Sequence, residues 1–242
     1  MNSFLGKNKQ IMAGDKNKEK LILDSAVALF TTKGFQATRM EDIAKKAGIS
    51  KGLTYFYYKN KEDLFMALTK KAFDQFKDEF REVYRSKGKS GLEMISDLAV
   101  KIPQYARNNQ VYYDAILNFL DLMKKYNDPK QRALINPLIL ESVHFQKLLE
   151  IHSEPAKFGV MIVSQGIKDG SIRPELQPEI TFYTIWSMII GYEKMSGPIE
   201  YEGKETKINP DNWQPGFLKL LQDMLKGTIQ ATRPNTVQTS LF

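Results

Sequence analysis

Residues 22–64 read ILDSAVALFTTKGFQATRMEDIAKKAGISKGLTYFYYKNKEDL. Ile22, Ala26, Leu29 and Phe30 recur at helical spacing and make one apolar face. Gly34, after Lys33, is the expected left-handed end of that helix, with Phe35 placed to fold back on Phe30. Thr38-Arg39-Met40-Glu41 has the T-x-x-E form of a capping box. It predicts a second helix over 38–47 with Ile43, Ala44 and Ala47 as its stripe. Gly48 ends that helix. Ser50 caps a short third helix reaching Tyr57, and Asn60 caps a fourth, in which Asp63 sits near the positive helix end.

Two helices joined at a tight glycine corner form a helix-turn-helix. Ala44 is small where the helices must approach, Gly48 admits a positive φ, and Ile49 fills the cleft beneath. A third helix of about eight residues is ~12 Å long, and the major groove of B-DNA is about 12 Å wide. The charge distribution points the same way. Within residues 1–61 twelve Lys and Arg stand against five Asp and Glu, and that excess equals the net charge of +7 on all 242 residues. A basic module followed by a neutral remainder implies a polyanionic partner for the first part, with a solvated lysine-rich tail as the rival reading.

Over about residues 18–65 the chain resembles the DNA-binding domain of the TetR family of bacterial regulators. The shared residues are Gly34-Phe35, Thr38, Ile43-Ala44, Ala47-Gly48-Ile49-Ser50, Gly52, Tyr55, Tyr57-Tyr58, Lys59, Lys61-Glu62 and Leu64. The resemblance, with side-chain chemistry, implies a DNA-binding set. Thr38 and Tyr55 would donate hydroxyl hydrogen bonds to phosphates, although Thr38 could equally serve only as a cap. Lys61 resembles the family's phosphate-clamping lysine. Ser50 and Lys51 offer free amides and a charge at a helix start, and Gly52 lets the backbone come close. Arg39 has the guanidinium suited to paired contacts with guanine. Leu53-Thr54 inverts the family's usual order, so either residue could read a base. Tyr57 is favoured as packing, and Lys45 and Lys46 as a solvated face.

The remaining composition narrows the function. Hydrophobic residues at 42% and charged residues at 26% describe a chain that is neither disordered nor fibrous. The absence of cysteine removes disulfides, thiolate metal sites and a cysteine nucleophile. The histidines, His144 and His152, are too far apart to share a metal on one helix turn, so neither metal nor cofactor is expected. Gly88-Lys89-Ser90 ends like a P-loop, but Val83 stands where a glycine is needed and a long helix precedes it. Ser86-x-x-Lys89 lacks its partner motifs. No enzyme activity is expected. No apolar run reaches the ~18 residues of a membrane span, and no secretory pattern opens the chain, so the expected location is cytoplasmic.

Beyond residue 65 helices are predicted over 91–106, 110–125, 130–151, 154–168, 178–196 and 214–232. Pro103 and Pro137 should kink or end theirs, Gly170 should end another, and 197–213 reads as a loop. The expected class is all-α. Residues 1–15 form a flexible arm, 16–64 the helix-turn-helix domain, 65–232 a helical regulatory and dimerisation domain, and 233–242 a flexible tail. The resemblance implies that the last two helices pair between subunits through Phe182, Ile185, Ile189, Leu218, Leu221, Leu225 and Ile229, with core packing as the rival use. It also implies a pocket for a small, mostly apolar inducer among Tyr105, Tyr112, Phe119, Met123, His144, Phe158, Met161, Ile162 and Trp186, with an ordinary aromatic core as the rival. Together these describe a homodimeric repressor released from a palindromic operator by a small-molecule effector. An all-helical enzyme or small-molecule-binding protein with an incidental helix-turn-helix is the alternative.

Overall fold

In a computed structural model, the structure describes residues 2–196, 200–201, 204–205 and 210–227, with side chains over 17–196 and 213–227. Helix α1 (Asn2–Ala37) is helical through the residues read as an arm and breaks only at Gly34, where φ is 77° and ψ 163°. That conformation is open essentially to glycine alone. It turns the chain so that Phe35 meets Phe30, their ring centroids 5.4 Å apart. Helix α2 (Met40–Ala47) starts two residues later than expected because the cap is shifted. The Thr38 hydroxyl donates back to the Gly34 carbonyl at 2.8 Å and so closes α1, while the Arg39 N–H donates to the Asp42 carboxylate at 3.4 Å. Gly48 forms the left-handed corner at φ 65°, and Ile49 packs against the core of this region. Ser50 caps α3 (Lys51–Tyr57) by accepting from the Leu53 N–H at 3.2 Å. Asn60 caps α4 (Lys61–Tyr84) by accepting from the Asp63 N–H at 2.7 Å.

Helix α5 (Gly91–Asn108) continues through Pro103, and α6 (Gln110–Asn127) follows. The one helix expected over 130–151 is three: α7 (Pro129–Arg132), α8 (Pro137–Leu140) and α9 (Val143–Ile151). Asp128, Asn136 and Ser142 each accept a hydrogen bond from the backbone N–H two residues on. Short polar side chains that bond locally interrupt a helix, and the prolines at 129 and 137 take first-turn positions where no N–H is needed. Helix α10 (Glu154–Lys168) matches its prediction, and Gly170 at φ 77° ends it. Helix α11 (Pro178–Met195) is followed by an antiparallel pair, β1 (Glu200–Tyr201) and β2 (Lys204–Glu205), within the expected loop. Helix α12 (Pro210–Lys226) begins earlier than predicted and stops before Gly227, whose φ is 74°. Ile229 and the tail over 233–242 lie outside the described residues.

The chain forms two compact units, Met1–Lys77 with Tyr105–Glu154, and Asp78–Gln104 with Pro155–Phe242. This division differs from a boundary at residue 64, since α4 and α5 each contribute to both units. In the first unit Ile22, Ala26, Phe30, Ile43, Tyr58, Leu64 and Leu68 form a buried cluster that Ala115 of α6 joins. In the same unit Phe119 makes edge-to-face contacts with Phe73 and with Phe145. In the second unit Gly91 lies directly against the backbone of Gly166, and Gly159 against the ring of Phe182. Phe80, Phe182 and Trp186 pack ring on ring there. No helix among the described residues is long and apolar enough to cross a membrane.

Candidate nucleic-acid interface

Helix α3 has two unlike faces. Thr54 is fully buried, and its hydroxyl donates to the Ser50 carbonyl at 3.1 Å. Leu53 is half-buried. The outward face carries Gly52, Tyr55 and Phe56, the last two 39% and 80% exposed. Their i, i+3, i+4 spacing puts them side by side. A Cβ at Gly52 would meet nothing within 4 Å, so a flat ligand can approach the backbone there.

The rim is basic. Arg39 is exposed at the start of α2 and makes no ion pair among the described residues. Ser50 is exposed at the start of α3. Lys51 reaches Glu41 at 2.7 Å, and its ammonium lies 5.8 Å from the centre of the Tyr55 ring. Hydrogen bonding within that pair lowers the Glu41 carboxyl below its ordinary pKa and raises the Lys51 ammonium above its own. Lys45 and Lys46 are exposed, in keeping with a solvated face.

Three members of the expected DNA-binding set are turned inward instead. Thr38 is buried, and its one hydroxyl proton is committed to Gly34. Thr54 is buried as described, so of the Leu53-Thr54 pair only Leu53 retains an outward part. Lys61 donates to the carbonyls of Phe35 (2.8 Å), Gln36 (3.2 Å) and Thr38 (3.0 Å), with its ammonium 4.4 Å over the Phe35 ring. Three bonds use all three ammonium protons, and the negative end of a helix attracts that charge. In this arrangement Lys61 ties the start of α4 to the end of α1. Phe56 was not in the expected set. Its position four residues after the outward Gly52 was the available signal.

The expected inducer set falls in both units. Tyr105, Tyr112, Phe119, Met123 and His144 belong to the first, and Phe158, Met161, Ile162 and Trp186 to the second. Tyr105 donates to Gln75 at 3.1 Å, and Lys71 lies 5.4 Å over the Tyr112 ring. Phe119 and Ile162 are buried, Met123, Phe158 and Trp186 are half-buried, and Met161 is exposed. His144 sits at an open groove with Leu23, Lys70 and Lys147, and burial lowers its imidazole pKa.

Most of the expected dimer stripe is enclosed. Phe182, Ile185, Ile189, Leu221 and Leu225 are buried inside this chain, and Leu218 is half-buried. A side chain enclosed by its own subunit offers nothing to a second one. The exposed face of α11 is instead Ile180, Tyr183, Ser187, Gly191 and Met195, with Leu220 exposed on α12.

With that geometry in place, comparison with known proteins identifies the head. The family profile described as "Bacterial regulatory proteins, tetR family" matches residues 22–68. The HTH-type transcriptional repressor KstR2 of Rhodococcus jostii is 26% identical over 170 residues, covering 70% of this chain and 75% of its own. A TetR/AcrR-family regulator from Thermobifida fusca superposes with a TM-score of 0.60 at 22% identity, covering 86% of this chain and 97% of its own. The regulator FadR of Bacillus subtilis, solved with stearoyl-CoA, superposes with a TM-score of 0.57 at 22% identity, covering 84% and 96%. The head over residues 22–68 thus matches the tetR family of bacterial regulatory proteins, and the helical remainder shares the fold of regulators described under that family.

Proposed function

We propose that the protein is a homodimeric repressor that holds a palindromic operator and is released by a small apolar effector. The outward row Gly52, Tyr55 and Phe56 on α3 carries the DNA part of this reading. A bare backbone, a phenol and an exposed ring on a helix of ~10 Å suit a major groove. Tyr55 donates to a phosphate, Phe56 lies against sugar edges or a thymine methyl, and Ser50 and Lys51 meet phosphate at the helix start. Arg39 is assigned to a guanine. Thr38, Thr54 and Lys61 support these residues from within.

Dimerisation follows from readout length and from α11. One short helix reads too few base pairs for useful specificity, and a two-fold dimer doubles the readout. Ile180, Tyr183 and Met195 each show more than half of their surface. Ser187 and Gly191 between them are small enough to let a second helix approach. The effector is assigned an apolar body because aromatic side chains crowd both units, Phe73, Phe119 and Phe145 in the first and Phe80, Phe182 and Trp186 in the second. An acyl thioester is the first class to test, since the similar FadR is solved with stearoyl-CoA. A ligand releases the DNA only through different affinities for the bound and free arrangements.

Selection from a randomised duplex library, followed by gel shifts with and without stearoyl-CoA, tests the reading. Enriched sequences should show two inverted half-sites bound by two chains. Enrichment of a single undivided site, or of none, would refute it.

A further inference from the structure

The Asp63 carboxylate is 4% exposed, and the hydroxyl that reaches it belongs to a residue far along the chain. One oxygen accepts from the Lys59 N–H at 3.1 Å, in the turn between α3 and α4. The other accepts from the Ser142 hydroxyl at 2.6 Å, across 79 residues of sequence. Ser142 is 1% exposed and caps α9, accepting from the N–H groups of His144 (3.1 Å) and Phe145 (3.4 Å). Its only proton therefore goes to Asp63. The next contact is a ring pair, His144 against the fully buried Tyr58 at 5.9 Å, and Tyr58 is the residue that closes α3.

A cap for the α3–α4 turn needs only the Lys59 bond. Burying an ionised carboxylate is costly unless it is well bonded, and here the positive starts of both α4 and α9 converge on it. All of these residues lie in one compact unit.

Resting on the DNA-binding reading above, we propose that Asp63 and Ser142 form a latch that ties the attitude of the reading helix α3 to the position of α9. Both are positioning residues. If α9 shifts against α4, the latch must either break or drag the α3–α4 turn with it. A broken latch leaves the head able to adopt attitudes that do not fit the groove, and specific binding then carries the entropy cost of selecting the right one. Binding driven by phosphates alone is insensitive to such tilts.

The test uses the full chain and two probes, the duplex enriched by the wild type and a mixed-sequence duplex. Ser142→Ala and Asp63→Asn should each weaken the enriched duplex about five- to tenfold, and the double variant should be no weaker than the worse single one. Binding to the mixed duplex and its salt slope should stay at wild-type values. Ser142→Gly separates latch from cap, because glycine is tolerated as an N-cap yet donates no side-chain proton. It should fall with Ser142→Ala, and Ser142→Thr should recover. Wild-type affinity for the enriched duplex in the folded variants, or additive losses in the double variant, would overturn the latch. A wild type that enriches no duplex overturns the DNA reading and the latch together.

Discussion

The helix-turn-helix and the α11–α12 region hold their helices by different means. In the head, helix ends are closed by polar groups. Thr38 bonds to Gly34, Ser50 to Leu53, Asn60 to Asp63, and Lys61 to three carbonyls of the α1 end. In the second unit, bare backbone meets backbone at Gly91 and Gly166, and rings pack edge-to-face around Phe182. The two regions mislead in opposite ways. Polar residues of the head invite assignment to DNA, yet Thr38, Thr54 and Lys61 serve the interior. Apolar residues of α11 and α12 invite assignment to a partner, yet Phe182, Ile185 and Leu221 serve the core. In both regions the residue type suits two destinations, and burial decides between them.

Substitutions can break or sharpen this contrast. Gly91→Ala should have the largest effect, because its Cβ would fall inside the backbone of Gly166, which has no side chain to rotate away. A loss above ~3 kcal/mol is expected from overpacking of this kind. Wild-type denaturant stability would show that the glycine approach does not hold the second unit.

Two changes on α11 come next and should separate its faces. Ile185→Ala should cost about 2–5 kcal/mol of stability, as core truncations do, with the association state unchanged. Tyr183→Glu should leave the melt nearly untouched and shift sedimentation from dimer to monomer. If the two effects were exchanged, the assignment of faces would be reversed.

Within the head, Arg39→Ala should relax the preference at one base pair by about 1–3 kcal/mol, read from selection profiles of wild type and variant. Lys61→Met should instead lower stability by about 1–2 kcal/mol, given its charged hydrogen bonds and partial exposure. Its salt slope should stay at the wild-type value. A slope smaller by about one would return Lys61 to a phosphate.

The smallest effect concerns pH. Burial, aided by Lys147 and Lys70 and opposed by Asp63 and Glu19, holds the His144 imidazole below its ordinary value of 6.5. The folded chain therefore takes up this proton later than the unfolded one on acidification. The stability from this site is complete above about pH 6.5 and declines as pH falls from there to the folded pKa. His144→Gln should flatten the urea midpoint between about pH 7.5 and 5.5. An equally steep decline in the variant would assign it to other groups. The phenol of Tyr58 beside it is pushed far above its ordinary value by burial and stays protonated throughout.

Much of the head was legible because its signals are local. Gly48, Ser50, Asn60 and, further on, Gly170 act on partners within about one helical turn, and each occupies the role read for it, while Gly34 breaks α1 where expected but at ψ 163° rather than in the left-handed helical conformation. The break of 130–151 into three helices was also written locally, in Asp128-Pro129 and Asn136-Pro137. Pro137 was read as a kink or an end, but the local caps at Asp128, Asn136 and Ser142 were not. What escaped depends on distance along the chain. Lys61 finds carbonyls 23 to 26 residues away, and Ser142 finds Asp63 across 79.

The order of residues alone established a basic three-helix head on an all-helical body, because caps, glycine corners and helical stripes are short-range. Packing alone decided which hydroxyls and lysines face inward, which side of α11 stays uncovered, and that Phe56 stands out in solvent. Each of those depends on which distant helix arrives to enclose a side chain, and no spacing within one helix can specify that.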